Sequence, residues 1–209
     1  MISPGQFFVK CSLSPRGTGI SREGMIFFDL KHTIMFFLSR IKRNTGIMEV
    51  IYYMRNYYPL TAAQKMHHNW IMDYGTQQVS GVSVVASVQA ELDFGLLKKC
   101  IQMEMERSDC TRVRFTKPDK DGNVKQYIEK QDPRDIELKD LSGMESLAKA
   151  DELMQQWAYE TFDGDNIPMC EFTMLKLPEG YNGFFLHMDH RLIDSCGLVV
   201  MIEDLFQLY

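Results

Sequence analysis

The chain has little with which to staple itself, hold a metal or enter a membrane. Its 209 residues include five cysteines, an odd number at irregular spacing (Cys11, Cys100, Cys110, Cys170, Cys196), which fits neither a disulfide framework nor a zinc site. A reducing cytoplasm is the setting this pattern implies. No apolar run approaches the ~20 residues that span a bilayer; the longest candidate, Thr33 to Leu38, is short and followed by Arg40, Lys42 and Arg43. No membrane is expected. The start lacks the basic residues, continuous apolar stretch and small-residue cleavage site of a signal peptide. Internal repeats and low-complexity tracts are missing too.

What is present suits a globular domain, with hydrophobic residues at 45%, ample for a core. Charge is uneven. Residues 1–59 carry eight Lys/Arg against three Asp/Glu, a balance of +5, and residues 60–209 a balance of −10, giving the net −5. Residues 1–56 are a poorly patterned extension, rich in Gly, Ser, Phe and isolated bases. Three origins fit it: a linker, a basic arm, or a start codon placed too early, with Met48 or Met54 the true one. The scattered bases do not alternate with aromatics as a nucleic-acid groove requires, so no nucleic-acid partner is expected.

From Tyr58 the chain is orderly. Pro59 and an N-capping Thr61 open a helix over about 61–73. Val82, Val84, Ala86, Val88 and Ala90 alternate with more polar residues, as in a half-buried strand. Asp93 caps a helix to about Ser108 with Phe94, Leu97, Cys100, Ile101 and Met105 on its apolar face. Thr111 to Thr116 and Asn123 to Glu129 form a hairpin turning at Asp121-Gly122. A short strand over 135–138 precedes a helix that Ser142 and Gly143 open and that runs to about Phe162. Met169 to Leu175 and Tyr181 to Met188 form a second hairpin. The expected fold is α/β, a two-layer sandwich with a mixed β-sheet flanked by helices.

Chemistry concentrates where that last strand ends, at Phe184-Phe185-Leu186-His187-Met188-Asp189-His190-Arg191-Leu192-Ile193-Asp194-Ser195-Cys196-Gly197. Asp194 and Ser195 are N-cap residues for a helix carrying Leu198, Val199, Ile202, Leu205, Phe206 and Leu208. A histidine on such a strand-to-helix turn sits at the edge of the core, where it can be neutral near pH 7 and reach a substrate. Asp194 could brace the turn by accepting backbone N–H groups or an arginine. The same stretch imitates an HxHxDH metal cluster, but Phe185 stands at the first histidine and no later ligand histidines follow, so no metal is expected. His67 and His68 are adjacent, point about 100° apart on a helix, and read as partly exposed residues. Cys196 has no second histidine to activate it and reads as a small buried thiol.

The turn resembles the HHxxxDG signature of the chloramphenicol acetyltransferase-like superfamily, which includes nonribosomal peptide synthetase condensation domains and plant acyltransferases that keep only HxxxD. Asp189 stands at the first histidine, His190 at the second, Asp194 at the aspartate and Ser195 at the glycine. Pro59-Leu60-Thr61-Ala62-Ala63-Gln64 resembles the helix-opening S/T-x-A-Q motif of condensation domains. Arg107-Ser108-Asp109-Cys110-Thr111-Arg112-Val113-Arg114-Phe115 resembles their RHExLRTxF motif, keeping both arginines and the phenylalanine.

This resemblance covers residues 57–209 and corresponds to the N-terminal lobe of a condensation domain. It implies a chloramphenicol acetyltransferase-like fold and acyl transfer from a phosphopantetheine-linked carrier-protein thioester, or a coenzyme A thioester, to an amine or hydroxyl. His190 would be general base or hydrogen-bond orienter, and Asp194 a structural residue pointing toward Arg112 first and Arg107 second. Backbone N–H groups near 194–197 would meet the oxyanion. Asp189 and Ser195 depart from the motif. The chain stops just after the motif helix, so a second lobe or a homo-oligomer would complete the substrate tunnel. The alternative is a noncatalytic or truncated lobe that binds a carrier protein or partner lobe. No cofactor beyond the thioester substrate is implied.

Overall fold

The computed structural model describes residues 8–12, 55–74, 81–162 and 164–209. Met48, Met54 and the Thr33–Leu38 run lie outside the described residues. In chain order the elements are β1 (Phe8–Ser12), β2 (Tyr58–Pro59), α1 (Ala62–Tyr74), β3 (Gly81–Gln89), α2 (Phe94–Arg107), β4 (Val113–Phe115), β5 (Lys125–Ile128), β6 (Glu137–Asp140), α3 (Leu147–Trp157), β7 (Cys170–Lys176), β8 (Tyr181–Asp189) and α4 (Ser195–Leu208). None of the described helices is long and apolar enough to cross a membrane.

Two sheets form. The larger is mixed and runs β1-β3-β8-β7-β6, with β6 and β7 parallel and every other pair antiparallel. The smaller runs β2-β5-β4. Near-continuous apolar character puts β8 at the centre, since only a strand covered on both faces can bury Phe184, Phe185, Leu186 and Met188 together. On one face Val82, Val84, Ala86, Phe172, Met174, Phe184 and Leu186 pack under α2 and α4 through Leu97, Ile101, Leu198, Met201, Ile202 and Leu205. The other face gathers Phe185 and Leu175 under Ala150 and Met154 of α3. The expected mixed sheet is thus flanked by helices, with α2 and α4 on one side and α3 on the other.

Local chemistry explains the element ends. Thr61 and Gln64 form a reciprocal capping box, Gln64 N–H to Thr61 Oγ1 at 3.3 Å and Thr61 N–H to Gln64 Oε1 at 2.8 Å. Asp93 caps α2 by accepting Leu96 N–H at 2.9 Å. In the β4–β5 hairpin Asp119 accepts the N–H groups of Asp121 and Asn123 while Gly122 takes φ +80°. The helix expected from Ser142 to Phe162 is shorter. Ser142 turns back to Asp140, donating from Oγ and N, so Ser146 becomes the N-cap of α3.

Gly183 marks the tightest point of the sheet. It faces Ser87 across the β3–β8 ladder, and a Cβ there would overlap Ala86 O and stand 2.7 Å from Ser87 Cα. Because the obstruction is backbone, no rotamer relieves it. Gly183→Ala is expected to cost about 2–3 kcal/mol, in the range of core overpacking, read as a lower urea midpoint; an unchanged midpoint would show that β3 and β8 can separate at no cost.

Candidate active site at the end of the central strand

Past its last paired residue, β8 turns sharply, Leu192 N–H reaching Asp189 O at 2.9 Å. The turn is tied by its own side chains. Asp189, 1% exposed, accepts Arg191 N–H at 2.8 Å and Nε–H at 2.9 Å on Oδ1, and Nη2–H at 2.8 Å on Oδ2. Arg191 in turn lies 4.3 Å above the Phe115 ring and 3.5 Å from His68 Nδ1. The carboxylate at the first motif position is therefore one half of a buried, bidentate ion pair.

His190 is the half-buried residue held between these two. Its Nδ1 is buried with no hydrogen-bond partner, and neither ring nitrogen bonds to a described residue. What the ring does touch is His67 of α1, stacked at 4.5 Å with 19° between planes. His67 meets Trp70 edge-on at 5.6 Å. Burial, then the charge of His190, pushes the His67 pKa below its usual value, with Asp189 pulling the other way. His68 is lowered by burial and then by Arg191.

His187 is spent on structure. Its Nε2 lies 2.9 Å from Glu160 O, a group that only accepts, so the proton sits on Nε2 and Nδ1 accepts from Ser83 Oγ at 2.6 Å. Phe162 stacks on the ring at 4.7 Å. Burial lowers its pKa against the opposing pull of the Glu160 hydrogen bond and nearby carboxylates.

These depressed values give a pH dependence. An unfolded histidine has its ordinary value of 6.5, and in the fold His187, His67 and His68 stay neutral to lower pH. Their neutral form contributes stability that is complete above about 6.5 and is lost as pH falls toward the folded values, where the unfolded chain binds more protons. Urea midpoints are expected to fall between about pH 7 and about pH 5.5, and His187→Gln to flatten that fall. A midpoint that rises on acidification through this window would contradict it.

Asp194 does brace the turn, through the backbone. Its Oδ1 accepts Gly197 N–H at 2.8 Å and its carbonyl accepts Leu198 N–H at 3.0 Å, the N-cap of α4. The expected arginine partner is not used. Arg112 is held by Asp109 at 2.5 Å and the Glu129 carbonyl at 2.6 Å, and Arg107 is drawn to Asp204 of α4 and to Glu104. Asp194, at φ −104° and ψ −179°, folds its side chain over the first turn of the helix. Ser195 is exposed, and so is Cys196, contrary to the buried thiol expected from sequence, because both occupy the solvent side of the first turn. Gly197 serves packing, since a Cβ there would come within 2.6 Å of Ile193 Cγ1.

His67 and His68, which no motif marks, belong to this site. Their signal in the sequence is their spacing from Gln64, a buried residue that exchanges two hydrogen bonds with Gln126 of β5 at 2.7 and 2.8 Å. Residues three and four further along share its helix face. A small apolar cavity of about 20 Å³, lined by Ala86, Leu97, Gly183 and Phe206 among others, lies at the opposite end of β8 and has room for roughly one water. Among the described residues no three His, Cys, Asp or Glu side chains are grouped to hold a metal ion.

Comparison with known proteins gives the fold and the family. The chain is 27% identical over 156 residues to one of the linear gramicidin synthase proteins and 25% identical over 153 residues to tyrocidine synthase 3, both of Brevibacillus parabrevis. The matches take 72% and 73% of this chain and span 2% of the length of each synthase. Among solved structures, the starter condensation domain of the rhizomide synthetase RzmA, in a mutant bound to C8-CoA, superposes with a TM-score of 0.66 at 17% identity, over 74% of this chain and 35% of that one. The first condensation domain of the CDA synthetase gives 0.64 at 17% identity, over 74% and 39%. The fold is that of these condensation domains, chloramphenicol acetyltransferase-like. A sequence model of the Condensation domain matches residues 54–209, three quarters of the chain, and the protein belongs to that family.

Proposed function

We propose that residues 57–209 are the histidine-bearing lobe of an acyl-transferring condensation domain, with residues 1–56 an extension to it. His190 carries this reading. Of the two histidines at the end of β8, His187 is consumed by two hydrogen bonds, whereas His190 has none among the described residues, and its Nε2 would face a substrate. Nε2 would accept the proton of an amine or hydroxyl, or orient it, as its nitrogen or oxygen bonds to a thioester carbonyl. The C–S bond then breaks and the proton passes to the departing thiolate. The N–H groups of Ser195 and Cys196, which the Asp194 cap leaves free among the described residues, would face the developing oxyanion at the N-terminus of the 14-residue helix α4.

The donor would be a carrier-protein or coenzyme A thioester. Support for the second comes from C8-CoA bound to the similar RzmA domain. A second lobe or another subunit would supply the far wall of the site, since the chain spans 35–39% of those solved domains. One observation favours a second reading, a noncatalytic lobe that binds a carrier protein or partner lobe: the Asp189–Arg191 pair occupies the first motif histidine's position.

Turnover of a coenzyme A thioester and of a carrier-protein thioester with an amine acceptor, by the chain alone and with a separately supplied second lobe, tests the proposal. Acyl transfer that His190→Ala abolishes supports it. Carrier-protein binding without turnover in any combination would replace it with the second reading.

A further inference from the structure

A histidine that works as a base is ordinarily aimed by a hydrogen bond at its other ring nitrogen, which fixes both the ring plane and the tautomer. His190 has no such bond. Its Nδ1 is buried and unpartnered, Asp189 beside it is fully engaged by Arg191, and Asp194 is turned onto the α4 backbone. Among the described residues one ring lies flat against it, and it comes from a different element: the His67 imidazole, face to face at 4.5 Å and 19°.

We propose that His67 is the positioning residue for His190, its flat ring taking the place of the missing Nδ1 hydrogen bond. This rests on the reading of His190 given above. His67 is itself well anchored. It leaves α1 one turn after Gln64, whose two hydrogen bonds to Gln126 pin that face of the helix to β5, and Trp70 meets its ring edge-on. The neighbouring His68 touches Arg191, so the same helix face also contacts the ion pair that closes the turn.

The stack also suits the charge that His190 acquires. Burial and the charge of His190 lower the His67 pKa, Arg191 lowers it further and Asp189 opposes them, so the neutral form of His67 is the one favoured beside its partner. A neutral aromatic face beside an imidazolium is attractive, as other cations over rings are. A second positive charge at that distance would be repulsive.

The test replaces His67 and watches the His190 ring in the full chain by NMR of labelled histidine, without substrate. His67→Phe keeps the flat face and is expected to leave the His190 ring signals sharp and shifted by the neighbouring ring. His67→Ala removes the face, and those signals are expected to broaden or move to the positions of a freely rotating imidazole. Acyl transfer should follow the same order, kcat falling about tenfold or more in His67→Ala with KM little changed, and recovering in His67→Phe. Should His67→Phe fail to fold, His67→Tyr presents the same face. His190 signals unchanged by His67→Ala would overturn the proposal. If the ring responds as stated but His190→Ala leaves acyl transfer intact, the stack stands and the general-base reading falls.

Discussion

Replacing His190 with alanine is expected to lower acyl transfer by about 10²–10⁴-fold, the usual contribution of a positioned acid–base group, while leaving the fold nearly as stable as the parent. The two halves of this expectation come from the same observation. His190 is half-buried, forms no hydrogen bond to the described residues and has the His67 stack as its aromatic contact, so little stability is at stake. The neighbouring His187 gives the contrasting case. Its alanine variant forfeits the bonds to Ser83 and Glu160 and the Phe162 stack in a buried setting, so stability should suffer first. Rates at saturating thioester beside urea midpoints for both variants separate the two roles. Equal rates for His190→Ala and the parent would remove His190 from the mechanism.

Asp189→Ala should be the most destabilising change at the site, by about 3–5 kcal/mol, the cost of stripping one partner from a buried ion pair. Arg191 is pinned between the Phe115 ring and His68 with its side chain 11% exposed, so its charge has little water to turn to. The turn would also lose the carboxylate that accepts Arg191 N–H. Removing both charges should hurt less than removing one, since no charge is then stranded. Urea denaturation of Asp189→Ala, Arg191→Met and the double variant checks this. A double variant whose loss equals the sum of the singles would show that the pair is not coupled.

Why some of this was legible in the sequence and some was not follows from the range of the interactions. The frame of the site, β8 running into α4 behind an Asp194 cap, rests on neighbours in the chain: an apolar run, a turn and an N-cap aspartate. The same holds for Asp93 and for the Thr61–Gln64 capping box. The end of α3 depended on distant partners. The segment after Trp157 leaves helical geometry where Glu160 O meets His187 and Phe162 stacks on it, contacts between residues more than twenty apart that no local pattern reveals.

Motif likeness has a similar limit. It points to His190 and Asp194 on the turn from β8 into α4, yet says nothing of the partners of Asp194, because Arg107 and Arg112 each pair with another carboxylate, Asp204 and Asp109. The small sheet, joining Tyr58–Pro59 to β5, brings α1 over the turn and so puts His67 against His190. Both histidines were visible in the sequence; their contact depends on a strand pairing across some seventy residues.

The most direct test of His190 as the substrate-facing residue is titration of the chain with an unreactive thioether analogue of an acyl thioester, carried on coenzyme A or phosphopantetheine, while the histidine ring signals are followed. The account predicts saturable shifts at His190 and His67 with His187 stationary. Saturable binding that leaves His190 unmoved and shifts residues elsewhere would contradict it.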